Sequence, residues 1–330
     1  MLELAFDALL CVFLLGLVWQ ILTVRQLYQA AIFFIAFGLS MALAWARLAA
    51  PDVALAEAAI GAGLLGVLLI DSLRVFAPSA EADSRPKDSP ARGGSKRSIF
   101  GRSVVMLVGA VATGLLLLAI WRMPAGGGLT QAVAEAMPDS GVAHPVTAVL
   151  LNFRGYDTWL EVGVLLLAML GLLVVRGDDA STEETNTARP DALLDWFTRA
   201  MVPLLVLTAG YLLWLGKFAP GGAFQSGVLL GAAAILLRLN GFTSLERLPP
   251  MLWRGSLVLG FAAFLVHGTG ALLAGRRFLE FPAEQAGQWI LGLEVLAAYS
   301  IAFTLAAFFI GLHGSDRGSP QAASTTDQEP

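Results

Sequence analysis

Long apolar runs alternate with short polar interruptions along this chain and predict nine helices, at residues 4–22, 28–46, 51–73, 103–121, 158–175, 197–215, 224–239, 252–273 and 290–312. Most reach the ~20 residues that cross about 30 Å of hydrocarbon at 1.5 Å per residue. Residues 200–216 and 295–312 contain no charged side chain at all. The seventh segment, about 16 residues long, covers only about 24 Å, so either the bilayer thins around it or neighbouring helices shield it. The runs are continuous and rich in Leu, Ala and Gly rather than alternating, which excludes a transmembrane barrel and predicts an all-α polytopic bundle.

Two polar stretches group these helices 3+2+4. Residues 78–102 are rich in Ser, Pro, Gly and mixed charge, and residues 177–196 are acidic and Thr-rich; neither has an apolar face to bury, which predicts linkers. They set apart a three-helix unit (1–77), a two-helix unit with a long outer loop (103–176, loop 122–157), a four-helix unit (197–314) and a disordered tail (315–330). Orientation comes from Lys and Arg. Residues 74–102 hold Arg74, Arg85, Lys87, Arg92, Lys96, Arg97 and Arg102, which marks that side as cytoplasmic. Nine alternating spans then put the N-terminus outside and the C-terminus inside, leaving only Arg47, Arg122, Arg154, Lys217, Arg276 and Arg277 of the 21 basic residues on the outer side. Glu3 and Asp7 stand where a signal peptide would need a basic start, so the first span reads as a retained helix.

Composition sharpens the class. With 57% hydrophobic residues, 14% charged and a mean hydropathy of +0.72, the chain departs from the roughly 25% charge of a soluble domain, and a water-soluble globule is excluded. The single cysteine, Cys11, permits no intramolecular disulfide. No Cys/His grouping has metal spacing, no Gly-rich loop suits a phosphate, and no polar domain houses a nucleophile and base. No catalytic residue, metal, cofactor or nucleic-acid partner is therefore expected, whereas membrane lipid is.

Against that background the intramembrane acids stand out, because each costs several kcal/mol unless protonated, paired or hydrated. Glu57 lies six residues beyond Pro51, about 9 Å into the third helix, among Ala and Gly residues that let other helices approach. A proton relay is the functional reading; a protonated, hydrogen-bonded Glu is the structural one. Asp71 follows fourteen residues later, within about 40° of the same face, either on a path to the cytoplasm or simply solvated. Pro51 and Asp52 suit a helix start, with Asp52 in the first turn favoured by the dipole. Asp157 and Glu161 open the fifth helix; Thr158 and Glu161 have capping-box spacing, so Glu161 reads equally as cap or relay, and Arg154 is placed to pair with Asp157. Glu294 lies about four residues inside the ninth helix. His267, deep in the eighth, is a core histidine or a proton carrier. Before the seventh helix, Pro220, Gly221 and Gly222 end the preceding helix and expose backbone N–H groups that could orient an anion, while Gly227 and Gly231 form a G-x-x-x-G whose first meaning is close helix packing.

Three of these stretches resemble one known set. Residues 51–58, Pro-Asp-Val-Ala-Leu-Ala-Glu-Ala, resemble the C-terminal part of the large A subunit of Mrp-type cation/proton antiporters, the counterpart of the D subunit of membrane-bound hydrogenases. Residues 152–158 with Glu161 resemble the hydrogenase-E-like segment that follows, and residues 219–224, Ala-Pro-Gly-Gly-Ala-Phe, resemble the Pro-Gly-Gly-Gly-Phe loop of the MnhB-like B subunit of Mrp. Lys217 stands where that loop usually has His, and Ala223 and Ser226 replace glycines. The resemblance covers the chain from Met1 to Gly314. It implies a membrane subunit of a multisubunit Na⁺/H⁺ antiporter in a bacterial or archaeal cytoplasmic membrane, with Glu57 and Glu161 in ion translocation and, less directly, Glu294. The alternative it implies is an accessory subunit of a membrane-bound hydrogenase or related redox complex. Either way it implies partner membrane subunits, a large antiporter-like one among them, since that portion of the A subunit is not in this chain.

Overall fold

A computed structural model describes residues 1–76, 96–123, 128–176, 192–243 and 247–312. Most of both predicted linkers and the whole tail fall outside the described residues. All nine predicted apolar segments are helical, and no strand occurs among the described residues. We label the helices α1 (Leu2–Thr23), α2 (Leu27–Arg47), α3 (residues 51–76), α4 (Lys96–Trp121), α5 (Thr130–Ala136), α6 (Gly155–Arg176), α7 (Ala192–Leu215), α8 (Ala223–Leu239), α9 (Pro250–Leu273) and α10 (Ala286–Leu312). Six are long and apolar enough to cross a membrane: α1, α2, α6, α7, α9 and α10. The protein is a multi-pass helical membrane protein.

Several features differ from the sequence reading. Helix α3 is not uniform: its α-helical start, Pro51–Ala56, passes into a π-helical stretch, Glu57–Leu64, before resuming as Leu65–Phe76. α4 begins at Lys96 and α7 at Ala192, both inside the stretches read as linkers. Residues 128–153, read in the sequence as part of a loop, are structured too. After α5 this stretch carries a 3₁₀ turn (Met137–Asp139), a short helix (Pro145–Thr147) and a second π-helical stretch (Ala148–Phe153). Val142, Ala148 and Leu151 are buried with Leu279, Phe281 and Ala286, so the loop supplies apolar side chains to the core rather than lying in solvent.

The chain divides into two compact units, residues 76–135 and the remainder. In the smaller, every described side chain of α4 from Met106 to Trp121 is exposed, and the stretch is apolar on all sides. The larger is organised around α10, whose Ile290, Leu293, Ala297, Ala298, Ile301, Leu305 and Phe309 are all buried. α8, the short helix, lies against it and is shielded as its length requires. A Cβ on Gly227 would fall 2.8 Å from Ile301 Cγ2, and one on Gly231 3.2 Å from Leu305 Cβ, so the G-x-x-x-G stripe is where the two helices touch. α9 is stitched to α10 by hydrogen bonds, Ser300 Oγ donating to the Leu257 carbonyl (2.9 Å) and Ser256 Oγ lying 2.9 Å from the Tyr299 hydroxyl. α6 meets α9 through Trp159, which stacks on Phe261 at 5.0 Å and donates to its carbonyl. At the N-terminal end, Arg47 of α2 makes a two-point pair with Asp7 of α1 at 2.8 and 3.1 Å.

Candidate functional site

The polar centre of the larger unit forms where α8 begins. Leu215 ends α7, and the turn through Pro220, Gly221 and Gly222 reverses the chain. Gly222 is the residue before α8 and has φ +112°, open to glycine at little cost but not to L side chains. Its N–H donates back to the Leu212 carbonyl at 2.9 Å. That leaves the N–H groups of Gly221 and Ala223 at the positive end of the helix dipole, where they favour negative charge.

Two carboxylates take them, from two different helices. The Gly221 N–H donates to Asp52 Oδ1 of α3 at 3.3 Å. The Glu294 carboxylate of α10 lies against Gly222 and faces the Ala223 N–H. Asp52 Oδ2 lies 3.0 Å from His144 Nε2, and both side chains are largely buried, 12% and 13% exposed. Gln225, itself buried, donates its side-chain amide to the Asp52 carbonyl at 3.3 Å. Glu294 is 3% exposed and has no basic partner within ion-pair distance among the described residues. The outer loop holds His144 in place: the Ala143 and His144 N–H groups both donate to the Lys217 carbonyl, at 2.9 and 3.1 Å, and Thr147 Oγ1 donates to the Gly216 carbonyl. Three separate stretches thus converge, α3, the 137–153 loop and the α7–α10 bundle. The Asp52–His144 pair can share a proton beside the Gln225 amide, and among the described residues no group of three His, Cys, Asp or Glu side chains is placed to hold a metal ion.

Of the residues singled out in the sequence, Asp52 sits behind Pro51 in the first turn of α3, but it does not cap its own helix: the residue before that helix is Ala50 and no side chain caps it. The Asp52 carboxylate serves the start of α8 instead, because two N–H groups are free there. Glu57 begins the π stretch and is half-buried, with its carboxyl folded against the Cα of Gly61, one turn onward, away from Asp52. It has no hydrogen-bond partner among the described residues. Asp71 is in the helical end of α3, and its side chain lies outside the described residues. Glu294 is deeper than expected, eight residues or about 12 Å into α10, because that helix starts at Ala286 rather than at Ile290.

Glu161 is not part of this cluster. It is exposed, on the face of α6 that carries Leu160, Val164 and Leu167. The capping box fails: α6 starts at Gly155, so Thr158 is already inside it and donates to the Leu150 carbonyl at 2.7 Å. Asp157 is in the first turn and pairs with Arg154 at 2.6 Å. His267 stands apart from every acid named so far; its ring stacks on Phe281 at 4.4 Å and lies 5.4 Å from Trp289. Sequence reasoning missed His144 and Gln225. The one local hint at His144 was the Pro145 that follows it, which marks a helix start in what read as open loop.

Known proteins resemble this chain in sequence and fold. Residues 12–77 match the MbhD family model, that of the D subunit of MBH, and residues 193–312 match the model of a domain related to the MnhB subunit of Na⁺/H⁺ antiporter. The order is that of the resemblance drawn from the motifs. A probable K⁺/H⁺ antiporter A/B subunit of Rhizobium meliloti is 25% identical over 308 residues, covering 83% of this chain but 30% of that protein. The B subunit of a Na⁺/H⁺ antiporter from Alkalihalophilus pseudofirmus is 29% identical over 127 residues, 38% of this chain and 87% of that protein. Among solved structures, the Mrp complex of Dietzia sp. DQ12-45-1b superposes with a TM-score of 0.69 at 22% identity, over 94% of this chain and 35% of that one. The archaeal membrane-bound sulfane sulfur reductase does so with a TM-score of 0.53 at 22% identity, over 66% of this chain and all of that one. This chain therefore spans about a third of the length of its first relatives.

Proposed function

We propose that this chain, an MbhD-like segment joined to an MnhB-related domain, is a membrane subunit of a multisubunit monovalent cation/proton antiporter. It is a transporter component rather than an enzyme, set in a bacterial or archaeal cytoplasmic membrane with its N-terminus outside. The observation that carries the reading is the meeting of Asp52 and Glu294 on the N–H groups at the start of α8. Asp52 belongs to the first matched stretch and Glu294 to the second, so the polar site exists only when both are present. In this reading the His144–Asp52 pair exchanges protons with the outer side. Glu294 and Glu57 pass a proton, or exchange it for a partly hydrated cation, and Asp71 continues toward the cytoplasm. Glu161, exposed on α6, meets a neighbouring membrane protein of the complex, a large antiporter-like subunit being the expected partner.

The test is cation-induced dissipation of a proton gradient in everted vesicles holding the whole complex. Glu57→Gln is expected to abolish antiport while the complex still assembles. Glu294→Gln, which keeps an acceptor oxygen but can no longer take up or release a proton, should slow antiport more than tenfold. Wild-type rates in both would sink the proposal. The match of residues 12–77 to a hydrogenase-type family supports a second reading, an ion-conducting accessory of a redox-driven complex; copurification with iron–sulfur proteins would select it.

A further inference from the structure

One turn into α8, inward of the two carboxylates, stands a hydroxyl with nothing to bond. Ser226 is fully buried, and its Oγ has no hydrogen-bond partner among the described residues. A serine inside a helix commonly turns its hydroxyl back to the carbonyl four residues earlier. Here the Gly222 carbonyl accepts from the Ser226 N–H at 3.1 Å and the hydroxyl is left over, which is unfavourable for a buried donor. Ser226 is also the last polar side chain of α8 before Arg238, residues 227–237 being Gly, Ala, Val, Leu and Ile alone. It stands where the loop this stretch resembles has glycine.

Packing places it beside Glu294. α8 and α10 run side by side in one direction: a Cβ on Gly222 would lie 2.8 Å from Glu294 Oε1, one on Gly227 2.8 Å from Ile301 Cγ2 and one on Gly231 3.2 Å from Leu305 Cβ. Ser226 therefore lies at a depth between Glu294 and Ile301. Four residues along a helix return to nearly the same face, and side chains lean toward the helix start. The Ser226 side chain thus lies next to Gly222, against which the Glu294 carboxyl rests. The other acid has less use for a donor, since Asp52 Oδ1 already takes the Gly221 N–H and Oδ2 is engaged with His144. Glu294 faces one N–H, that of Ala223, whereas an ionised carboxylate offers about four acceptor sites. Its ionised form is short of donors, and Ser226 is a donor short of an acceptor.

We propose that Ser226 is a positioning residue for Glu294: when Glu294 is ionised its carboxylate turns inward and accepts from the Ser226 hydroxyl. The pairing sets how readily Glu294 gives up its proton, and it rests on the reading of Glu294 as a proton carrier. Other groups around Glu294 do not take this place. Asp52 and His144 hold each other at 3.0 Å. Lys217 Nζ is beside Gly287, two turns outward on the face of α10 that carries Glu294. Glu57 folds against Gly61 of its own helix, Asp157 pairs with Arg154, Glu161 is exposed, and His267 packs on Phe281 and Trp289.

The purified whole complex in nanodiscs would be titrated, with the Glu294 carboxyl followed as the infrared C=O band that Glu294→Gln removes. Ser226→Ala takes a donor from the charged form, so the band should titrate about 0.5–1 pH unit higher than in wild type, about a three- to tenfold change in proton concentration. Ser226→Thr keeps the hydroxyl and should restore the wild-type midpoint. The pH profile of antiport should follow the band in both. An unchanged midpoint in Ser226→Ala, a shift as large in Ser226→Thr, or no titrating band that Glu294→Gln removes would each overturn the proposal. Should Ser226→Thr not assemble, Ser226→Gly must match Ser226→Ala, and a wild-type midpoint there overturns it as well. The midpoint is read with no gradient and no transport, so wild-type antiport in Glu294→Gln, which sinks the transport reading, is a separate result.

Discussion

Asp52 and Glu294 reach the same helix start from opposite sides, yet their surroundings differ. Asp52 has an imidazole at 3.0 Å, a backbone donor and about one-eighth of its surface open. Glu294 has a single backbone donor and almost no open surface. Removing the charge of Asp52 therefore breaks a pair that also fixes the outer loop. Asp52→Asn should lower the stability of the complex by about 1–3 kcal/mol, seen as a reduced melting temperature in detergent. His144→Gln keeps a hydrogen-bonding side chain but removes the imidazole that can pass a proton between its two nitrogens. It should preserve assembly and change the pH profile of antiport; a superimposable profile would remove His144 from the pathway. Glu57 was conspicuous in the sequence because it is an acid in an apolar run. His144 was not, since 92 residues separate it from its partner and nothing nearby in the chain announces the pairing.

At the scale of single elements, the π-helical stretch from Glu57 to Leu64 is the departure that matters most. Widened turns of this kind recur at functional positions because they re-aim a side chain. Here the stretch starts on the acid itself, and the missing side chain of Gly61 makes room for its carboxyl. Gly61→Ala would place a methyl group on that carboxyl and swing it away. Antiport in vesicles should fall, though less than in Glu57→Gln, with assembly intact. A second element-level prediction concerns α8. Gly227→Leu would drive a side chain into Ile301 and the Ala298 carbonyl, and overpacking of that sort costs about 1–3 kcal/mol. The measurable result is a lower melting temperature and less assembled complex, with no selective change in ion preference. The G-x-x-x-G spacing was legible in the sequence as packing. The π turns were not, since residues 57–64 read as ordinary apolar helix and residues 148–153 as part of a loop.

Considered whole, the larger unit is a bundle whose central helix, α10, is buried on nearly every side, an arrangement that leaves α8 too short to span but well shielded. The carboxylates gather where α3, the 137–153 loop and α8 meet. The amino-acid sequence determined that this is a multi-pass helical membrane protein and where its apolar helices lie, because length and continuous apolarity are local properties that hydrocarbon selects for directly. It also flagged the acids, since each is costly where it stands. Only the tertiary structure decided which acid meets which donor, that the 137–153 loop is folded into the core, and that His267 packs on Phe281 and Trp289 rather than joining the carboxylates. The physical reason is that such meetings are made between groups tens to hundreds of residues apart, by helix rotation, by where a turn frees its N–H groups and by a few side chains' worth of space, none of which leaves a periodic trace along the chain.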